Sequence, residues 1–361
     1  MSAMKAILAD PRRRNLAVLA AIAAASVGMA VWGLERQAAE VAPKYVETEF
    51  LPGFAAHIRE AARIHIQSKK NGAFDVVFKP NKGWVLPGKN DYPASFEEVN
   101  KTLVGLAALE TIEPKTGRAD WLHYIDLDDP AHGGAGTRIV VSDDRGRALV
   151  SLIVGKSEDI GDASGQVGLF VRRIGDNQSW LARAAFEPQN DQNDWVEKRV
   201  IDIDRAQIQS TTVDEPDGQF FEVSRDKASD PNFKLAVAPK GREEAPGAAD
   251  GLATAIVDFA FDDVKPARNF NFSDATRLVT KTFDGLSVTV DVLRLDSDYW
   301  AQIAAMGAAN NRDAGRRARE INARAAGWAF KLPDYKGAQF MTPLENLLKP
   351  KPGKKAAAGT P

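Results

Sequence analysis

Residues 137–154 read TRIVVSDDRGRALVSLIV, and residues 276–292 read TRLVTKTFDGLSVTVDV. Both open Thr-Arg-(Ile/Leu)-Val. Both place a glycine nine residues after the threonine, Gly146 and Gly285, and both then enter an apolar run. In the second stretch Leu286, Val288, Val290 and Val292 alternate with Ser287, Thr289 and Asp291. That period of two marks a strand with one dry and one wet face. Each stretch therefore reads as a β-hairpin with its glycine in the turn.

The surroundings recur as well. Upstream of the first stretch, AFDVVF (73–78), the turn KPNKG and Trp84-Val85-Leu86 form a hairpin. Ser95-Phe96-Glu97-Glu98 then has the form of a capping box, and Phe96, Val99, Leu103 and Leu106 share one helical face. Upstream of the second stretch, Phe220–Val223, the loop RDKASDPN and Phe233–Val237 repeat the hairpin. EEAPGAADG breaks the chain, and Leu252, Ile256 and Phe259 mark a second helix face. Each helix leaves through an acidic, lysine- and proline-bearing exit, Glu113-Pro114-Lys115 and Asp262–Pro266.

The expected fold class is α+β: an N-terminal transmembrane helix, then a duplicated hairpin–helix–hairpin body with mostly antiparallel sheets. The expected segments are a basic cytoplasmic segment (1–15), an anchor (16–34), a first repeat with a trailing hairpin (45–195), a second repeat with C-terminal helices (196–348) and a disordered tail (349–361). Residues 301–327 are expected as an arginine-rich helix. Thr342-Pro343-Leu344-Glu345 is expected to open a short last helix.

The 361 residues are 44% hydrophobic and 27% charged, with a net charge of −2. Residues 1–15 carry +3 and residues 349–361 carry +4, so the stretch between them carries −9. An acidic body argues against nucleic acid as a partner. Cysteine is absent, which excludes disulfides, thiolate metal sites and cysteine nucleophiles.

Residues 16–34, LAVLAAIAAASVGMAVWGL, hold no charge and follow a basic cluster. Such a run is long enough to span a hydrocarbon core of about 30 Å, and the basic flank places residues 1–15 in the cytoplasm. A cleavable signal peptide ending near Gly28-Met29-Ala30 is the rival reading. Either reading exports the rest of the chain.

No motif carries a reaction. The four histidines lack metal-ligand spacing. HGGAGT (132–137) lacks the ending of a phosphate loop and reads as a flexible linker. Asp159, Asp162, Asp191 and Asp194 lack calcium-loop spacing. No cofactor is expected. The candidate contact residues are the arginine stripe Arg312, Arg316, Arg317, Arg319 and Arg324, suited to an acidic partner or anionic head groups. The small anchor residues Ala21, Ala25 and Gly28 join them as a helix-packing surface.

Several pieces resemble domain-of-unknown-function family 4340: the anchor, FLPGFAAHIREAARIHI (50–66), WVLP (84–87), GLFVRR (168–173), DWVEKRVIDID (194–204) and GWAFKLPDYK (327–336). The resemblance implies a bacterial envelope protein, often encoded beside ABC-type transporter components of the gliding-motility kind. No reaction and no catalytic residue come with it. The expectation is a non-catalytic accessory or binding component of an envelope ABC-type transport system. It would be anchored in the inner membrane with its bulk in the periplasm, and a transporter permease would be its partner. An enzyme acting on envelope polymers, or a free periplasmic ligand-binding protein, are the alternatives.

Overall fold

The computed structural model describes residues 15, 18–19, 22–30, 32–33, 47–161 and 165–350. The chain divides into two compact units, residues 1–48 and 49–361. In the first, residues 22–30 and 32–33 are helical and exposed. Among the described residues no helix is long and apolar enough to cross a membrane. The expected anchor lies partly outside the described residues, Ala21 included, and so does the tail beyond Pro350.

The second unit holds two sheets. The larger contains β1 (Thr48–Glu49), β2 (Arg63–Ser68), β3 (Gly72–Lys79), β4 (Gly83–Leu86), β5 (Tyr92–Pro93), β6 (Glu110–Pro114), β7 (Thr137–Ser142), β8 (Ala148–Glu158), β9 (Val167–Arg173) and β10 (Ser179–Ala184). The smaller contains β11 (Ile208–Asp214), β12 (Phe220–Ser224), β13 (Lys234–Leu235), β14 (Asp263–Pro266), β15 (Thr276–Thr282), β16 (Leu286–Leu295), β17 (Asp298–Gly307) and β18 (Trp328–Leu332). Four helices matter to the packing: α1 (Phe96–Ala107), α2 (Ala248–Ala253), α3 (Arg312–Ala325) and α4 (Asp334–Phe340).

The two sheets follow one plan. The first runs β4-β3-β2-β7-β8-β9-β10-β6, with β5 and β1 at its ends. The second runs β13-β12-β11-β15-β16-β17-β18-β14. Thr137 and Thr276 each begin the equivalent strand, β7 and β15. Gly146 and Gly285 sit in the equivalent turns at φ of +81° and +86°, where a side chain would be strained. The repeated unit is larger than hairpin–helix–hairpin. It starts one strand earlier, at β2 and β11, and continues through two more strands. In β2, Ile64, Ile66 and Ser68 are buried while His65 and Gln67 are only half-buried, the alternation of a strand. The halves do not separate into two bodies, because one continuous apolar core runs through both.

Several local expectations change. Ala301–Gly307 belong to β17, and the helix begins only at Arg312. Alanine favours helix, but Trp300, Ala301 and Ile303 are buried in the sheet and that burial prevails. The second repeat's helix closes at Ala253, and Ile256 and Phe259 reach the core from the turns after it. Ser95 does cap α1, accepting from the Glu98 N–H at 3.2 Å. The other half of the box is not made: the Ser95 N–H donates to the Trp195 carbonyl at 2.8 Å. Residues 344–347 form a single 3-10 turn with no side-chain cap, preceded by α4.

The link from β6 to β7, residues 115–136, is longer than its counterpart from β14 to β15, residues 267–275. The extra chain covers the first sheet with a small apolar cluster of Leu122, Leu127, Ile153, Phe170 and Leu181. HGGAGT is therefore packed and is not a free linker. A Cβ at Gly136 would lie 2.5 Å from Ile153 Cγ2, and one at Gly155 of β8 would lie 2.0 Å from the Ile125 carbonyl oxygen. Buried Arg172 ties the loop down, donating from Nε to the Leu127 carbonyl at 2.7 Å.

Candidate functional site

A cleft of about 490 Å³ opens where the segment entering the first repeat crosses the ends of β8 and β9. Buried Phe50 and Phe54 pin that segment to the core. Gly53, at φ +81°, turns the chain into the short helix Phe54–His57. Leu51, Phe54, Leu149 and Val150 give the cleft its apolar wall, and His57, Ser151 and Arg173 supply its polar groups. The volume falls within the range of small-ligand sites.

Arg173 is the cleft's free charge. It ends β9, and the chain turns at once, with the Ile174 N–H bonded to the Ser151 carbonyl at 3.2 Å. Its guanidinium lies 4.8 Å over the Phe50 ring, and Nη2 donates to the Phe50 carbonyl. Among the described residues no carboxylate pairs with it. Its neighbour Arg172 points to the opposite face of the strand and is buried. One arginine of the doublet thus holds the fold and the other faces the cleft. The motif GLFVRR carries that division as an alternation of faces along the strand.

A second cleft of about 650 Å³, lined by Glu60, Asp143, Asp144 and Arg147, is rimmed by a fixed charge network. Arg147 Nη2 donates to Glu60 at 2.8 Å and its Nε to Asp143 at 3.0 Å. His57 Nδ1 lies 2.7 Å from Glu60. The bond from His57 holds the Glu60 carboxyl below its ordinary pKa, with Arg147 adding to the effect. Burial pulls Asp143 upward, but the Arg147 amide and guanidinium and the Arg145 amide outweigh it and leave it lowered. Two carboxylates bridged by one guanidinium and both biased toward ionisation are poorly suited to glycoside cleavage, which needs one of the pair protonated.

The arginine stripe is divided by the structure. Arg316 pairs within α3 with Glu320 at 2.9 Å. Arg317 donates to Asp284 at 2.8 Å and to the Asp202 carbonyl at 3.2 Å. Arg324 donates to the Arg199 carbonyl at 3.2 Å. These three are engaged within the chain, while Arg312 and Arg319 are exposed. Ala25 and Gly28 lie on the exposed N-terminal helix, and the space where a Gly28 Cβ would sit is open. His65 pairs with Asp75 directly across β2 and β3 at 2.9 Å. Asp159 and Asp191 accept turn amides, and Asp162 lies outside the described residues. Among the described residues no three histidine or acidic side chains gather to hold a metal ion.

A family model described as Domain of unknown function (DUF4340) matches residues 84–281, more than half of the chain, and the chain belongs to that family. The match includes β8 and Arg173 but not the Leu51–His57 wall of the cleft. No curated protein and no solved structure matches the chain.

Proposed function

We propose that this protein is a non-catalytic binding component of an envelope ABC-type transport system. In this reading residues 16–34 anchor it in the inner membrane, and the two-sheet body works in the periplasm beside a transporter permease. The observation that carries the binding role is the cleft at Arg173. Its size suits a ligand, its walls are fixed by strand ends and buried phenylalanines, and its free charge is a guanidinium. An arginine stays protonated across physiological pH, so it attracts and orients a ligand and does not shuttle protons. The uncharged run after a basic cluster supports the anchor. Ala21, Ala25 and Gly28 would let another membrane helix approach closely. Exposed Arg312 and Arg319 remain available to an acidic partner.

Two measurements test this reading. A C-terminal reporter that is active only in the cytoplasm should be silent, and activity would reverse the topology. The tagged full chain, extracted from membranes in mild detergent, should co-purify with an ABC-type permease. Recovery without any transporter subunit would remove the transport role.

A further inference from the structure

We infer that the Leu51–Ile174 cleft binds an aliphatic carboxylate, with Arg173 taking the carboxylate and the Leu51–Phe54–Leu149 wall taking the apolar chain. This deepens the binding role proposed above and names its ligand chemistry.

The duplicated fold leaves a larger opening at this corner in its first copy than in its second. In the second repeat the equivalent corner lies at the start of β16, the end of β17 and the segment leading into β11. There α3 packs into it. The space at Gly307 is closed by the backbone of Ala314 and Gly315, 2.3–2.5 Å from where a Cβ would stand. Arg317 and Arg324 fasten the helix to the lead-in carbonyls of Asp202 and Arg199. In the first repeat β9 joins β10 through residues 174–178 alone, with no helix between them.

The chemistry of the opening selects the ligand. One of the five N–H donors of Arg173 is used by the Phe50 carbonyl, and the rest can meet a planar anion. Phe50 packs under the guanidinium and holds its plane. The remaining wall is aliphatic and aromatic, which favours a carboxylate bearing a hydrocarbon chain over a small hydrated anion. A free fatty acid and a peptide C-terminus with an apolar last residue share this chemistry.

Calorimetric titration of the full chain in nanodiscs tests the inference with matched probes. Hexanoate is compared with its neutral isostere hexanamide, and N-acetyl-Leu-Leu as the free acid with its amide. Hexanoate, the peptide acid or both should bind at least about tenfold more tightly than the neutral partner, the effect of one charge-assisted pair. Which acid binds identifies the source. Arg173→Gln should abolish the preference and Arg173→Lys should retain part of it. Should Arg173→Gln fail to fold, Ala148→Trp, at an exposed position on the rim, should block both acids. Equal affinity for acid and neutral probe, or no binding of any probe, overturns the assignment. Carboxylate binding with no permease recovered would sink only the transport role, and permease recovery without carboxylate binding would sink only the ligand.

Discussion

The Asn322 carboxamide closes on Ala305 twice. Its Oδ1 accepts the Ala305 N–H at 2.8 Å and its Nδ2 donates to the Ala305 carbonyl at 2.8 Å. β18 pairs with β17 only over Tyr299–Ala301. One side chain from α3 therefore replaces the missing neighbour on that edge. Asn322→Ala leaves both backbone groups without their partner in a partly buried place, and should cost about 2–3 kcal/mol. Asn322→Asp keeps the acceptor, loses the donor, and should also destabilise. Urea unfolding checks this. A loss under about 0.5 kcal/mol in the alanine variant would mean that water satisfies this edge.

Two glycine substitutions should behave differently. Gly155→Ala places a methyl 2.0 Å from the Ile125 carbonyl oxygen and must lift the 115–136 loop from β8. A loss of about 2 kcal/mol or more is expected, with faster proteolysis in that loop. Gly146→Ala meets open space but sits at φ +81°, so backbone strain alone should cost about 1 kcal/mol. Equal losses would show that the loop does not depend on close approach to β8.

The hairpins at 137–154 and 276–292 were legible because alternation and a turn glycine are local properties. The shared strand order was not legible, since the repeat starts one strand before the first hairpin and runs two strands past the last. β17 was hidden because Ala301, Ala304 and Ala305 favour helix in isolation, and only pairing with β16 makes them a strand. The cleft was not legible. Its walls come from residues 51–57, 148–151 and 173–174, brought together by folding, and Arg173 looks like any strand-end arginine until Phe50 is placed beneath it. The arginine stripe was visible by its spacing. Its division into ties and exposed cations depends on the distant carbonyls of Asp202 and Arg199.

Lys336 is buried and donates to the carbonyls of Ala255 and Val257 at 3.2 and 2.6 Å. Burial lowers its pKa from 10.5. Between the lowered folded value and 10.5 the unfolded chain binds the extra proton, so raising pH through that window stabilises the fold. Tyr92 acts oppositely above pH 10, since burial raises its pKa in the folded state. Lys336→Met retains Tyr92, so subtracting its pH profile isolates the lysine. The stability of the wild type relative to Lys336→Met should rise from pH 7 toward pH 10. A flat difference would show the ammonium to be as well solvated as in the unfolded chain.

Tyr92 joins the two repeats. Its ring packs edge-on against Trp328 at 5.0 Å, and against Phe261 and Phe330 at 6.2 Å each, all three from the second repeat. Its hydroxyl donates to the Glu197 carbonyl in the link between repeats at 3.1 Å. Lys89 and Asp263 form an ion pair across the same seam. Tyr92→Phe loses one hydrogen bond and keeps the ring, so it should cost about 1 kcal/mol. Tyr92→Ala removes the ring from a fully buried position and should cost about 3–5 kcal/mol. Each repeat has a complete sheet, and this aromatic cluster is the part of the shared core that lies on the seam between them. The alanine variant should therefore loosen the coupling between repeats before either sheet melts. The expected sign is a urea transition in which tryptophan fluorescence, sensitive to Trp328, moves ahead of the far-ultraviolet circular dichroism. If the two probes stay coincident and the loss is below about 1 kcal/mol, the repeats are coupled elsewhere in the core and Tyr92 is not the joint.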